Sequence, residues 1–244
     1  MTTPTYSRAM VRVEWRDRVV VVTIDRPERR NAVDHATLLA LADAQSAAAA
    51  GGARVLVLTG APPAFCAGAD LTGVESGAFV DALGAVLGGF TRLGFVTMAA
   101  IDGPALGAGT QLAIACDLRV AEPTSVFGIP AAKLGLAVDR WTVDRLEREF
   151  GSSVARSMLL AAQTATADQL HLTGAVHRLG GLADALVWAD ELALLAPLTI
   201  HAHKSALEGS DDFEAVRVAA WASADAEEGR AAFLEKRRPH FTGG

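Results

Sequence analysis

The stretch with the strongest chemical potential runs Gly103-Pro104-Ala105-Leu106-Gly107-Ala108-Gly109-Thr110-Gln111-Leu112-Ala113-Ile114-Ala115-Cys116-Asp117. Its first half is a glycine-broken turn, and its second half is a helix so apolar that it belongs inside the protein. Small residues at Gly107, Ala108 and Gly109 let another molecule approach the backbone closely. The first turn of a helix carries N–H groups without intrahelical partners, and its dipole end is positive. Such a turn suits a phosphate, a carboxylate or an enolate oxygen. It equally suits a plain tight turn feeding a core helix, and the stretch alone leaves both readings open. The remaining reactive side chains are sparse. Cys66 and Cys116 sit among small apolar residues with no evident base, as reduced buried thiols do. His201 and His203 are two apart, so a helix points them to different sides, and no metal site is expected.

The elements that must position these groups alternate strand and helix. Residues 11–15 alternate, 16–18 turn, and Val19 to Ile24 is β-branched, which reads as a hairpin. A polar loop, Asp25-Arg26-Pro27-Glu28-Arg29-Arg30-Asn31, precedes a helix that Asp34 caps and Gly51-Gly52 stops near Ala50. Arg54 to Thr59 is a continuous apolar strand. Ala64 to Leu71 reads as a strand and a small-residue turn, Thr72 to Phe90 as a loose loop leading into a helix, and Val96 to Ile101 as a strand entering the central turn. Strand-like segments recur at 117–121 and 125–128. Beyond Trp141, segments near 144–150, 152–160, 167–172, 182–195, 198–207, 212–222 and 226–237 read as helices. No strong strand is expected there, apart from a short extension near 175–178. The rhythm predicts an α/β fold.

The chain has 244 residues, 51% of them hydrophobic, enough for a sizeable core. A net charge of −6 argues against a nucleic-acid binder but permits a small anionic ligand held by a local basic cluster. No apolar run spans a bilayer and residues 1–8 hold no apolar signal region, so a soluble cytoplasmic protein is expected.

Four motifs in order resemble the crotonase (enoyl-CoA hydratase/isomerase) superfamily: 22–32, 64–71, 103–121 and 233–237, across nearly the whole chain. The resemblance implies a spiral of ββα units over residues 1–182, a helical trimerisation region over 183–244, and a homotrimer or dimer of trimers. It implies no permanently bound cofactor and a coenzyme A thioester as ligand. By position in the motifs, the N–H groups of Ala69 and Ala108 would hold the thioester oxygen. Ala67, Gly68, Asp70 and Leu71 would form the first oxyanion loop, with Asp70 fixing it. Arg29, Arg30 and Lys236 would contact the phosphates and adenosine of coenzyme A.

One departure matters. Hydratases of this family use two glutamates, and the motifs place Gln111 and Ala131 at those positions. Gln111 can hold a water but cannot take its proton. Residues 138–142 also replace a glycine-rich segment of the family, with Trp141 expected to wall the acyl pocket or fill core. Asp139 falls where relatives carry a reactive aspartate, so it is a candidate for proton handling, the alternative being a salt bridge with Arg140 or Lys133. The expectation is therefore an acyl-CoA protein that hydrates poorly, with isomerase-like chemistry at Asp139, or carriage of long-chain acyl-CoA without turnover, as rivals. The 139–141 tract, Gln111 and the Lys236-Arg237-Arg238-Pro239 tail resemble an atypical mycobacterial branch of the family associated with acyl-CoA handling.

Overall fold

A computed structural model describes residues 5–8, 10–72 and 77–244. Strands β1 (Thr5–Arg8), β2 (Val11–Arg16) and β3 (Val19–Ile24) pair antiparallel, with Val13 opposite Val22. Helix α1 (His35–Ala50) starts where the Asp34 carboxylate accepts from Thr37 N–H at 2.8 Å, and it ends at Gly51. Strand β4 (Val55–Gly60), helix α2 (Gly77–Arg92) and strand β5 (Val96–Ile101) follow. Next come β6 (Pro104–Leu106), α3 (Ala108–Ala115), β7 (Leu118–Ala121) and β8 (Val126–Gly128). The chain continues through α4 (Arg140–Phe150), α5 (Ser152–Leu160), β9 (Thr164–Thr166), α6 (Ala167–His171) and β10 (Arg178–Leu179). It finishes with α7 (Leu182–Leu192), α8 (Pro197–Glu208), α9 (Phe213–Trp221) and α10 (Ala224–Glu235).

The main sheet has seven strands in the order β1-β2-β3-β4-β5-β7-β10, parallel from β3 onward. A smaller sheet has the order β6-β8-β9. Isolated parallel bridges, Val33 to Ala69 and Cys66 to Ala105, carry this second layer back towards the first loop. The central strands are apolar on both faces because both are covered. Val20, Val22, Leu56, Leu58 and Ile101 join the core that holds residues of α1, α2 and α3. Val55, Val57, Val96, Met98 and Ala100 face the opposite way, onto Ala185 and Ala189 of α7.

Several expectations need correction. Residues 64–71 form no strand. Cys66 and Ala69 make single bridges to different neighbours, because this segment is shared between two other loops and lines up fully with neither. The helix expected after a loose loop is already formed at Gly77, and the glycines along it do not interrupt it. Strand β9 lies where no strand was expected, and at three residues it is too short to show a period; β10 falls at the end of the short extension expected near 175–178. Helix α4 begins at Arg140, four residues early, because Asp139 caps it by accepting from Thr142 N–H at 2.9 Å.

Two buried guanidiniums tie α3 to its surroundings. Arg119 is 1% exposed and donates to the carbonyls of Ala113 (3.2 Å), Cys116 (2.9 Å) and Ala175 (2.7 Å), and pairs with Glu149 at 2.5 Å. Arg145 donates to the Ile114 carbonyl at 2.7 Å and pairs with Glu208 of α8 at 2.7 Å. Lys204 of α8 reaches Asp117 at 2.7 Å. The C-terminal helices are thereby joined to the core by charges as well as by α7. Arg119→Leu is expected to cost about 3–5 kcal/mol, since it strands three carbonyls and leaves Glu149 with only the longer pairs to Arg145 at 3.3 Å and Arg148 at 3.7 Å; denaturant unfolding checks this. His177 accepts from Arg119 N–H at 3.2 Å, and burial holds its pKa down at about 4, from 6.5. The unfolded chain takes that proton first, so stability falls as pH drops from 6.5 towards about 4. His177→Asn, which keeps an acceptor, is expected to flatten that part of the stability–pH curve.

Candidate active site

The first loop is held on both sides by backbone. Ala67 N–H donates to the Arg30 carbonyl at 3.0 Å, Val33 N–H to Gly68 at 2.9 Å, and Asp70 N–H to Val33 at 2.8 Å. On the other flank, Cys66 N–H donates to Pro104 at 3.0 Å, and Leu106 N–H donates to Cys66 at 2.9 Å. Asn31, in the left-handed conformation, is the knot behind this loop. Its Nδ2 donates to the carbonyls of Ala61 and Ala64 at 2.6 Å, and its Oδ1 accepts from Arg26 N–H at 2.8 Å. Arg26 in turn reaches Asp34 at 2.9 Å and Asp70 at 3.2 Å. Asp70 also accepts from the Thr72 hydroxyl at 2.6 Å, and these bonds keep its pKa below the ordinary carboxylate value. In these pairings Ala69 N–H has no partner among the described residues.

The second loop is knotted by Thr110, whose hydroxyl donates to Ala105 at 2.6 Å and accepts from Gly128 N–H at 3.0 Å. Gly107 N–H donates to Gly128 at 2.8 Å, with φ of 54° at Gly107. The first bond inside α3 is from Gln111 N–H to Gly107, so Ala108 N–H stays unpaired among the described residues. Gly109 has to be glycine, because a Cβ there would lie 2.1 Å from the Cys66 carbonyl. This close approach puts the first turn of α3 against the first loop.

Ala69 and Ala108 consequently line one cavity of about 260 Å³. Ala67, Gly68, Leu71, Gln111, Ala131 and Asp139 line it as well. Phe79, Val80, Leu83 and Leu87 of α2 form an apolar wall, with Leu134, Leu136 and Val138 across from them. Gln111 is buried and donates to the Thr142 hydroxyl at 2.7 Å. Thr142 N–H in turn donates to Asp139, so the three are linked. Asp139 does not pair with Arg140, which instead holds Asp144 at 2.7 Å. Trp141 packs, partly buried, on the main core and is not part of the cavity wall. Both cysteine thiols are pushed up to about 12 by burial, which leaves them protonated and inert.

The basic residues are placed less closely. Arg29 and Arg30 lie exposed on the turn before Asn31, outside the cavity lining. Lys236 ends α10 in the left-handed conformation and is not brought to the cavity. The tail after it is tied to Arg54, which donates to the Phe241 carbonyl at 2.6 Å. Arg54 precedes β4, at the end of the sheet away from both loops. Among the described residues, no group of three or more His, Cys, Asp or Glu is placed to hold a metal. Arg26, Asn31, Thr110 and Thr142 are the supporting residues that motif reading passes over. The polar loop and the cap position were visible, but their partners come from distant segments.

Two loops whose Ala69 and Ala108 line one apolar cavity beside a mainly parallel sheet define a class of protein. The family model for enoyl-CoA hydratase/isomerase matches residues 14–244, and the chain belongs to that family. It is 41% identical over 242 residues to "probable enoyl-CoA hydratase echA6" of Mycobacterium tuberculosis, covering 96% of this chain and 100% of the relative. It is 34% identical to 2,3-dehydroadipyl-CoA hydratase of Escherichia coli, covering 95% and 98%. Among solved structures, enoyl-CoA hydratase EchA1 from Mycobacterium marinum matches with a TM-score of 0.87 at 35% identity, covering 97% and 100%.

Gly109→Val is expected to separate the loops. Its side chain meets the Cys66 carbonyl, and overpacking of this kind costs about 1–3 kcal/mol. A lowered unfolding midpoint together with lost acyl-CoA binding in calorimetry checks this.

Proposed function

We propose that this enoyl-CoA hydratase-like protein of fatty-acid metabolism binds an acyl-CoA thioester through its carbonyl oxygen and hydrates enoyl-CoA poorly. The observation that carries the reading is the pair of unpaired amides, Ala69 and Ala108, in a cavity with Gln111 and Ala131 where proton-transferring glutamates would stand. Each oxyanion donor is worth about 3–4 kcal/mol to a developing negative charge. An amide and a methyl group cannot exchange protons, and positioned acid–base catalysis contributes about 10²–10⁴-fold. The cavity therefore suits polarisation of a thioester better than addition of water. Its apolar wall suits a hydrocarbon acyl chain.

A second reading is supported by Asp139, the one carboxylate among the described residues that line the cavity. Only one of its oxygens caps α4, so the other is available to a proton at the α-carbon of a bound thioester. Arg29 and Arg30 would meet the phosphates of coenzyme A. Lys236, held away from its own cavity, would serve a neighbouring copy in a homotrimer or dimer of trimers. In support of that assembly, Trp221, Phe233 and Leu234 of the C-terminal helices are 70%, 82% and 78% exposed. Residues 183–244 would then be the assembly region. No single described helix is long and apolar enough to cross a membrane.

Calorimetric titration with a saturated acyl-CoA, beside a 2-enoyl-CoA hydration assay, is expected to show binding with little turnover. The double variant Gln111→Glu, Ala131→Glu should raise hydration by about 10²-fold or more. Robust hydration by the unaltered chain would overturn the reading. Solvent deuterium entering the α-carbon, lost in Asp139→Asn, would favour the second reading over simple binding.

A further inference from the structure

Arg26 is 12% exposed at its side chain and is held from three directions. Its guanidinium donates to the Ala32 carbonyl through Nη1, and through Nη2 it meets Asp34 at 2.9 Å and Asp70 at 3.2 Å. These partners flank Val33, whose N–H and C=O bond Gly68 and Asp70 on either side of Ala69. A parallel bridge of this kind uses the atoms flanking Ala69 and leaves the N–H of Ala69 itself pointing away from Val33. The direction of that N–H depends on how firmly residue 70 is held against residues 32–34.

The two carboxylates do not hold each other, because they are like charges and the charge of Asp70 works against that of Asp34. Asp34 is anchored by α1, where its Oδ1 takes the N–H and the hydroxyl of Thr37. Asp70 lies on the loop that carries Ala69. Without a cation between them the loop is the part that gives way. A planar guanidinium can bridge the two acids and a carbonyl at once, whereas a lysine ammonium is a single point charge on a flexible stem.

We infer that Arg26 is a positioning residue: it does not line the cavity, and its clamp on Asp34 and Asp70 aims the Ala69 N–H at the carbonyl oxygen of the ligand. This rests on the oxyanion reading proposed above. The test is the infrared carbonyl band of a saturated acyl-CoA, isotope-labelled at the thioester carbon, bound to the unaltered protein and to Arg26→Met, Arg26→Lys and Asp70→Asn. Two aimed donors pull the bound band below that of the free thioester. Arg26→Met is expected to place the bound band between the free and wild-type positions, and Arg26→Lys to recover part of the shift. Circular dichroism and the unfolding midpoint, measured on the same samples, separate this from damage to the fold. A merely structural arginine would lower the midpoint and leave the band of the bound fraction unchanged, which overturns the inference. If Arg26→Met does not fold, Asp70→Asn decides: it keeps the side-chain shape and removes one charge of the clamp, so a full wild-type shift in it also overturns the inference. No shift in the unaltered protein sinks the oxyanion reading itself, and the role of Arg26 with it.

Discussion

A helix buried on every residue has to settle the partial charges at both ends, and α3 settles only one. All eight of its residues are buried. At the carboxyl end, Arg119 and Arg145 donate to the carbonyls of Ala113, Ile114 and Cys116, so the negative end meets two fixed cations. Those cations are themselves inside the protein and are tolerable only because Glu149 and Glu208 pair with them. At the amino end Ala108 N–H has no partner among the described residues, and no acidic side chain stands in the first turn. The helix is left with one unsatisfied pole, directed at the cavity. On the reading proposed above, a ligand oxygen carrying negative charge would be the missing partner, and the fold rather than the ligand bears the cost of preparing that place.

One pole does not make a site. The other unpaired amide among the described residues that line the cavity, that of Ala69, comes from a loop that has no regular structure of its own. The loop is precise because its backbone is divided between two neighbours, residues 30–33 on one flank and 104–106 on the other. Asn31 and Thr110 are the buried side chains that knot the two flanks, each serving several backbone groups at once. Gly109 then lets the first turn of α3 press against Cys66. Polar knots, a missing Cβ and an orphan amide act together, and of Asn31, Thr110, Gly109 and Ala108 only Ala108 lines the cavity.

The same economy limits the chemistry. Ala131 presents a methyl group to the cavity and Gln111 is engaged with Thr142, so neither of these two lining side chains can exchange a proton. Asp139 is the exception, partly occupied as a helix cap. Membership of an enoyl-CoA hydratase/isomerase family thus describes the scaffold more securely than it describes an outcome for a substrate.

Periodicity and punctuation made much of the fold readable in advance. Asp34 and Gly51 bound α1, the β-branched runs became β3 to β5, and the C-terminal helices lie close to their expected places, because these features are local and repeat over many residues. The short strand β9, the early start of α4 and the irregular 64–71 segment were not readable, since pairings of one to three residues leave no period. The residue types at Gly107, Ala108 and Gly109, and the missing glutamates, are properties of the chain alone and already restrict what it can do. Which amides stay unpaired, that they share a cavity, and that Arg26 lies between Asp34 and Asp70 were decided only in three dimensions. The reason is that a hydrogen-bond vacancy exists only once every neighbouring acceptor has been assigned, and those acceptors arrive from segments tens of residues away.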